Sequence, residues 1–554
     1  MSGKNVLLVL ILVTAFFLRF YNLGQNPPSL TWDEAAWGYN AYSLGIDGRD
    51  EFGRFLPVDY LESFGDYKPP VYAYLTILPV KLFGLNEFAV RFASAFFGGL
   101  TIAVTYFLCR ELFRKAKNDY GLKVSLLASL FLALSPWHIN LSRAAFEANI
   151  ASFFIVLGVF LFLKAINGRN WLLIFSGLSF ALSLYTFNTA RIVSPLLIII
   201  MSAVFFKKLF SMKKEVILAV IIAVILSIPF FRFMITPQAK LRFHEVNIFS
   251  DLSIIERTNQ EMENDKKLTG LDSTPLWSRI IHNRRFAYFQ EYLKHYFDNL
   301  SPSFLFIKGD GNPKFSTQDV GQLYIWDLPF LIIGFLVLIR EKRGYWWLIP
   351  VWLIIGIMPA AAARETPHAL RIETVLPVFQ IIIAVGVIKI IILINQHKLL
   401  SRYNKIAFTA IYFTLFVNFL YYLHGYYNHY PFEYSEQWQY GYKEAIQYVK
   451  SHEDKYDQII VTTELGRPYI YFLFYLKENP KIYRESAFFE REVFGFVKVN
   501  QFKKFIFSRS IMQKSSLLGR KLFIDVPRSI PDNAKVLETF KSLNNKPVLV
   551  AFEI

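Results

Sequence analysis

The chain contains eleven apolar stretches, each close to the length that an α-helix needs to cross a lipid bilayer. A span requires about 20 predominantly apolar residues. Hydrophobic residues make up 54% of the chain, whereas soluble domains contain roughly 45–50%. The sequence therefore predicts a polytopic α-helical membrane protein. Its predicted spans lie near residues 5–21, 87–109, 124–141, 148–166, 171–189, 192–210, 215–235, 324–340, 345–362, 372–394 and 405–424.

The formal net charge of +17 would suggest a nucleic-acid partner in a soluble protein. Here the lysines and arginines cluster in alternate connections between spans, which the positive-inside rule assigns to the cytoplasm. The basic connections contain Arg110/Arg114/Lys115/Lys117, Lys164/Arg169, Lys207/Lys208/Lys213/Lys214, Arg340/Lys342/Arg343 and Lys398/Arg402/Lys405. The other connections then face outward: residues 22–86, 142–147, 190–191, 236–323, 363–371 and everything after about residue 425.

Two N-terminal segments test this orientation. No small-residue cleavage site follows the first apolar stretch, so we expect a retained span and not a signal peptide. Residues 69–83 are apolar, but only about a dozen residues separate Pro70 from Lys81. If this segment crossed the bilayer, every later basic loop would lie outside. We therefore predict a short surface or re-entrant helix here, with loop 22–86 as a structured outer cap.

The chain changes character after about residue 425. A helical pattern (SEQWQYGYKEAIQYVKSH) precedes a buried-strand run (YDQIIVTTE), a further helix (GRPYIYFLFYL) and two more strands (GRKLFIDV and NKPVLVAFEI). This alternation predicts a small extracytoplasmic α/β domain over 426–554 behind a membrane domain over 1–425. The sequence shows no glycine-rich phosphate loop, no HExxH motif and no internal repeat. Its single cysteine, Cys109, excludes an intrachain disulfide and a thiolate metal cluster.

Trp32-Asp33-Glu34 follows the first span and is the most informative polar motif. A carboxylate pair at the edge of the hydrocarbon is costly to desolvate and often marks chemistry or an ion path. Either acid could equally cap the short surface helix that follows the motif. Spacing alone leaves these two interpretations open.

Under the predicted orientation, the informative polar residues lie outside or at the outer ends of spans. Carboxylates there can accept a proton from an attacking hydroxyl, while Arg, Lys and His can stabilise a departing phosphate. Such a site suits a substrate with a lipid tail and a charged head. The residues concerned are Asp33, Glu34, Asp66, Lys68, Arg91, Arg143, Glu147, Arg191, Arg364, Glu365, His368 and Arg371.

Several of these residues have a simpler interpretation. Arg143 and Glu147 are four apart and could form a helix ion pair. Lys68, before two prolines, could anchor the chain at the membrane interface. For His368 and Arg371 the functional interpretation is favoured instead, because a spacing of three residues after Pro367 lets both bind one anion.

The ordered set of Asp33-Glu34, Lys68-Pro69-Pro70 and the segment from Glu87 to Arg91, supported by TPHALR at 366–371, resembles a known superfamily. It is the dolichyl-phosphate-mannose–protein mannosyltransferase-like superfamily of GT-C glycosyltransferases, which includes the prokaryotic RgtA/B/C/D-like group and the aminoarabinose transferases of lipid A. The resemblance covers roughly residues 5–425 and is strongest over 19–115. It does not cover the C-terminal domain.

The resemblance implies a sugar donor carried on a polyprenyl phosphate, an outward-facing active site and inversion at the anomeric carbon. Asp33 matches the family's first-loop acid, which acts as base or positions the acceptor. Glu147 falls where many members carry a second acid after an arginine, although aspartate is more usual there. The acceptor is expected to be an extracytoplasmic lipid, glycan or protein, and the location the plasma membrane.

We therefore predict a membrane glycosyltransferase with Asp33 as general base and with Glu34 and Glu147 orienting the acceptor or balancing charge. Lys68, Arg143, His368 and Arg371 are predicted to hold the lipid phosphate. No cofactor is identified with certainty, and a divalent metal is left open. The alternatives are an oligosaccharyltransferase or polysaccharide ligase and a lipid-linked-sugar transporter or flippase, although the spans carry few central charges and show no repeat.

Overall fold

The computed structural model describes residues 3–117, 119–239, 246–396, 404–491, 497–511 and 519–554. Every apolar stretch singled out in the sequence is helical over most of its length. The first nine helices are α1 (Gly3–Phe20), α2 (Trp32–Asp47), α3 (Val71–Phe83), α4 (Glu87–Leu112), α5 (Tyr120–Leu134), α6 (Pro136–Arg143), α7 (Glu147–Ile166), α8 (Leu172–Leu184) and α9 (Ala190–Val204). Further helices span Phe206–Phe210, Lys213–Met234, Leu252–Thr269, Leu276–Ile281, Arg284–Asp298, Asp327–Glu341, Leu348–Ala361, Val378–Gln396, Asn404–His424, Tyr430–Glu433, Tyr442–His452, Pro468–Tyr475 and Pro480–Ser486.

Among the described residues, four helices are long and apolar enough to cross a membrane by themselves. These are α4, α7, Lys213–Met234 and Val378–Gln396. A fifth results if α5 and α6, which meet at 56°, form one broken span. The helical membrane architecture is thus present, while the count of eleven spans stays a prediction.

Two helices of the membrane part approach each other at glycines. A Cβ atom on Gly334, in helix Asp327–Glu341, would lie 1.9 Å from the backbone oxygen of Ile382. A Cβ on Gly386, in helix Val378–Gln396, would lie 2.0 Å from the oxygen of Phe330. Because lipid offers little hydrophobic driving force, small residues that allow such close contact are what hold membrane helices together.

Residues 22–86 contain regular secondary structure. They form helix α2, a hairpin of β1 (Leu61–Ser63) and β2 (Asp66–Lys68), and the short helix α3. The two hairpin turn residues, Phe64 and Gly65, both have positive φ, which is the requirement of a two-residue hairpin turn.

The C-terminal part is an α/β unit that begins at Tyr442. Its strands are β3 (Gln458–Thr462), β4 (Phe488–Arg491), β5 (Val497–Phe502), β6 (Phe505–Ser508), β7 (Lys521–Asp525), β8 (Lys535–Lys541) and β9 (Pro547–Glu553). They form one sheet of order β4-β5-β6-β3-β7-β9-β8, in which β3 is parallel to β6 and β7. The sequence analysis anticipated β3, β7 and β9 but not the other four strands.

The unit starts later than the predicted boundary at residue 426. Tyr426, Tyr430 and Trp438 are buried in the core of the membrane part and do not belong to the sheet. A second core joins the sheet to the outer loop. Within it, α2 approaches helix Pro468–Tyr475 so closely that a Cβ on Gly38 would lie 2.5 Å from the ring of Phe474. The C-terminal domain therefore fixes the position of α2.

Candidate active site

The N-terminus of α2 carries the Asp33-Glu34 motif, and a capping box defines where the helix begins. The Thr31 hydroxyl accepts from the Glu34 backbone N–H at 3.3 Å, and the Glu34 carboxylate accepts from the Thr31 N–H at 3.0 Å. The capping alternative raised by the sequence thus applies to Glu34, with Thr31 as the N-cap residue. Asp33 lies between them with its carboxylate directed elsewhere.

Glu34 is completely buried and binds the equally buried Arg91 of α4. Arg91 Nε donates to Glu34 Oε1 at 2.9 Å, and its other nitrogens donate to Glu34 and to the backbone oxygens of Leu23, Pro27 and Ser29. Glu34 Oε1 also accepts from the backbone N–H of Ala145 at 2.9 Å. This pair joins α2, α4 and the turn before α7, so Glu34 holds the site together from behind and is shielded from any substrate.

Asp33 forms an ion pair with Lys68, the last residue of β2. The Asp33 side chain is 51% exposed, whereas that of Lys68 is only 9% exposed. The Lys68 ammonium lies 5.2 Å from the ring centre of Trp37, one turn after Asp33 in α2, and 5.3 Å from that of Phe64 in the hairpin turn. The hairpin and α2 thus position a buried cation beneath an accessible carboxylate.

The charges around Lys68 keep its ammonium protonated. Burial alone would lower the pKa of Lys68, but the nearby carboxylates of Asp33 and Asp66 outweigh burial and raise it. Glu147 also raises the pKa of Lys68, by a smaller amount. Three of the sequence-predicted polar residues on the outer side, Asp33, Asp66 and Glu147, therefore gather around Lys68.

A second cation, Lys314, was missed by the sequence analysis. Its ammonium lies 5.3 Å from the ring centre of Trp32, and the charges of Asp33 and Glu34 act on it. Burial lowers the pKa of Lys314, which the two acids partly offset. Within the described part of the chain its ammonium forms no ion pair. The available signal was a single lysine within the turn-forming run GDGNPKF of the large outer loop.

Glu147 is the first residue of α7, where the helix dipole favours a negative charge. It is not the helix partner of Arg143, because α6 ends at Arg143 and an extended residue, Ala144, separates the two helices. Behind it lies another missed acid, Glu373, which is completely buried. Neither Glu373 carboxylate oxygen finds a hydrogen-bond partner in the described residues, and the charge of Glu147 acts on it.

Arg143 faces away from this group. It is completely buried and donates to the backbone oxygens of Leu18 at 2.7 Å, Arg19 at 3.2 Å and Asn26 at 2.9 Å. Its Nε donates to the hydroxyl of Tyr426 at 3.2 Å. All three nitrogens are thus used within the protein. This geometry argues against the predicted phosphate contact and assigns Arg143 to joining α1 with α6.

His368 and Arg371 do not share a helical face, because His368 lies outside any helix and residues 369–372 form a turn. His368 is buried with its ring 4.9 Å from that of Phe315, and burial lowers its pKa to about 3, which leaves it neutral. Arg371 instead donates to the backbone oxygen of Glu365 at 2.9 Å and lies 3.5 Å from the Glu365 carboxylate. The two predicted phosphate ligands therefore have different surroundings, and only Arg371 carries a charge.

The described residues contain no group of three or more His, Cys, Asp or Glu side chains arranged to hold a metal ion. The site as a whole consists of an accessible carboxylate, Asp33, its ion-pair partner Lys68, and a second cation, Lys314, against the neighbouring Trp32. Further acids, Asp66 and Glu147, lie beside Lys68. This arrangement can take a proton from a hydroxyl and stabilise an anionic leaving group.

Comparison with known proteins finds a family model that matches the N-terminal part of the chain. The family model of dolichyl-phosphate-mannose-protein mannosyltransferase matches residues 9–247, which include Asp33, Lys68 and Glu147. An uncharacterized protein of Aquifex aeolicus (strain VF5) is 30% identical over 212 residues. That match covers 38% of this chain and 39% of the relative, so the chain spans well under half of the relative's length in the alignment.

Two crystal structures of ArnT from Cupriavidus metallidurans have the same fold. The apo form has a TM-score of 0.54 at 12% identity and covers 99% of this chain and 98% of its own. The form bound to undecaprenyl phosphate has a TM-score of 0.57 at 13% identity and covers 100% and 98%. The chain is thus a multi-pass membrane protein with the GT-C fold. Its residues 9–247 match the family that the sequence resemblance predicted.

Proposed function

We propose that this protein is a glycosyltransferase that moves a sugar from a polyprenyl-phosphate carrier to an extracytoplasmic acceptor. The observation that carries the proposal is the half-exposed Asp33 carboxylate, which is paired with the Lys68 ammonium and acts electrostatically on that of Lys314. The family match over 9–247 supports the reaction class. The shared fold with ArnT, which has been crystallised with undecaprenyl phosphate, supports the kind of carrier.

In the proposed step, an acceptor hydroxyl oxygen attacks the anomeric carbon from the face opposite the phosphate. The bond from that carbon to the phosphate oxygen breaks, and its electron pair leaves with the polyprenyl phosphate. Asp33 accepts the hydroxyl proton as the new glycosidic bond forms. Attack from the opposite face inverts the anomeric configuration.

The leaving phosphate gains negative charge, and the two lysines are placed to stabilise it. Lys68 is fixed by the rings of Trp37 and Phe64, so little reorganisation is needed as the charge develops. Arg371 stays a predicted phosphate ligand. Its guanidinium is partly exposed, and the carboxylate of its partner Glu365 is 79% exposed, so solvent weakens this ion pair. Arg143 and His368 are not part of the proposed phosphate site. The donors of Arg143 are used within the protein, and His368 is neutral.

Glu147 and Glu34 have separate tasks in this proposal. Glu147, near Lys68, orients the acceptor or balances the charge of the cations. Glu34 is a positioning residue that fixes the start of α2 through Arg91. We further propose eleven spans with the basic connections in the cytoplasm of a cell bounded by a plasma membrane. Asp33, Lys68, Lys314 and the C-terminal domain then all lie on the extracytoplasmic side.

The test compares Asp33→Asn with a control, Asp59→Asn. Asp59 lies in the same outer loop and is also ion-paired, with Arg54 at 2.8 Å. Cells that produce the wild type, either variant or no protein are compared by mass analysis of lipid-linked sugars and surface glycans. Loss of a general base costs about 10²–10⁴-fold in rate. We expect the glycan product to vanish in Asp33→Asn alone, with equal protein in the membrane. Normal product from Asp33→Asn would overturn the assignment.

A further inference from the structure

A cleft of about 500 Å³ opens in the outer domain at the carboxyl ends of strands β3 and β6. It is bounded by the segment Thr463–Arg467 that follows β3, by Arg509 just after β6, and by Lys498 on β5. In open α/β sheets, ligands bind outside the carboxyl ends of parallel strands. The volume lies within the usual range for small-ligand sites, roughly 300–1,000 Å³.

Among the described residues, the lining of the cleft carries three basic side chains and one acidic side chain. Arg467, Lys498 and Arg509 all border it, while the acid that borders it, Glu464, forms an ion pair with Arg528. These cations belong to the outer domain, so the positive-inside rule does not account for them. A water-accessible concave surface lined by cations concentrates negatively charged ligands. The charge therefore indicates an anionic ligand.

The cleft adjoins the proposed catalytic group directly. Gly466 lies so close to Trp32 that a Cβ atom there would be 2.5 Å from the indole ring. Trp32 immediately precedes Asp33 in the chain. The ring of Phe64 also lies between the cleft and the proposed catalytic site. Its centre is 5.3 Å from the Lys68 ammonium and 5.8 Å from the Arg467 guanidinium. A ligand in the cleft would thus end beside Asp33.

We propose that this cleft binds the acceptor, and that the acceptor is an acidic glycan with carboxylate or phosphate groups near the hydroxyl that receives the sugar. This inference rests on the proposed glycosyl transfer. The polar walls and the position on the sheet favour a saccharide over a lipid headgroup, which would approach along the membrane helices. The shared chemistry is an anionic group on a sugar, held by arginine and lysine side chains.

The experiment measures saccharide binding to the full-length protein in neutral detergent by calorimetry. The probes are trigalacturonate, its neutral size match maltotriose, and a hexose phosphate. We expect binding of an anionic probe but not of maltotriose, and weaker binding at high salt. Tighter binding of the galacturonate assigns carboxylate as the recognised group, and tighter binding of the hexose phosphate assigns phosphate. Either result supports the proposal.

Two double variants locate the binding. Arg467→Gln/Arg509→Gln should weaken the binding of the anionic probe roughly tenfold or more. Because Arg467 also donates to the Val497 backbone oxygen at 3.3 Å, a second double variant, Lys498→Gln/Arg509→Gln, leaves that contact intact. The control is Arg520→Gln, which removes one positive charge just before the amino end of β7, at the opposite end of the parallel strands. It should bind like the wild type.

Three results would overturn the proposal. The first is equal binding of maltotriose and the anionic probes, and the second is an equal loss in Arg520→Gln. The third is binding of phosphatidylglycerol vesicles through Arg467 and Arg509 when no saccharide binds, which would assign the cleft to a lipid headgroup. The variant Asp33→Asn separates the two proposals. It should bind the anionic probe at least as tightly as the wild type, because it removes only a negative charge beside the cleft. Inactivity of Asp33→Asn then tests the catalytic assignment and leaves the cleft to be judged by binding alone.

Discussion

The buried pair of Glu34 and Arg91 offers the sharpest test of how the site is built. The change Glu34→Gln keeps the size of the side chain and one acceptor oxygen but removes the negative charge. Arg91 is 0% exposed and also donates to three backbone oxygens, so it cannot turn toward water. Removing one partner of a buried ion pair leaves the other charge uncompensated, at a cost of about 3–5 kcal/mol. We therefore expect a large loss of stability.

The assay is thermal unfolding of the detergent-solubilised protein, followed by tryptophan fluorescence. Asp33→Asn is the matched control, because it makes the same change one residue away on a half-exposed side chain. A pair that is open to solvent on one side contributes at most about 1 kcal/mol. The melting temperature of Glu34→Gln should fall by several degrees, and that of Asp33→Asn should stay close to the wild type. Unchanged stability in Glu34→Gln together with lost turnover would refute the structural role and restore Glu34 as a catalytic acid.

Three further predictions concern the donor site, pH and topology. Lys314→Met should raise the half-saturation concentration of the donor and slow turnover, at a cost on the order of 1.5–3 kcal/mol, whereas Lys308→Met in the same loop should change neither. Burial raises the pKa of Glu51 from 4.5 to about 8, so its contribution to stability is present below about pH 4.5 and is lost as the pH rises through 8. Glu51→Gln should therefore melt like the wild type in acid and above it in alkali, and a melting-temperature scan across pH checks this. Topology is tested with single cysteines introduced into a Cys109→Ser background: Val58→Cys, Ser451→Cys and Lys117→Cys. A membrane-impermeant thiol reagent added from outside should label the first two, which lie on the outer side, but not the cytoplasmic Lys117→Cys.

The sequence predicted the architecture because its signals are local. Apolar length identified the helices of the membrane part, and short apolar runs identified β3, β7 and β9. Strands β4 and β8 were not predicted, because they are mostly exposed and carry many charged residues. The end of the membrane core at Trp438 also escaped, since aromatic residues there resemble those of an interface.

The site was only partly predictable, because side-chain partners depend on tertiary contacts. Asp33 and Lys68 are far apart in sequence, and only the family resemblance joined them. The structure pairs them directly. Arg143 looked available because the sequence does not reveal that the backbone of α1 occupies its donors. Spacing of three suggested one helical face for His368 and Arg371, but turns occupy that segment. Lys314 and Glu373 gave no periodic signal at all.

The central claim is that Asp33 and its two lysines catalyse sugar transfer from a polyprenyl-phosphate donor with inversion. The most direct measurement incubates the purified protein with a polyprenyl-phosphate sugar and an acidic acceptor glycan, and follows released polyprenyl phosphate and the anomeric configuration of the product by NMR. The account predicts one polyprenyl phosphate for each glycoside formed, an inverted anomeric centre, and neither product with Asp33→Asn. A glycoside with retained configuration, or undiminished transfer by Asp33→Asn, would contradict it.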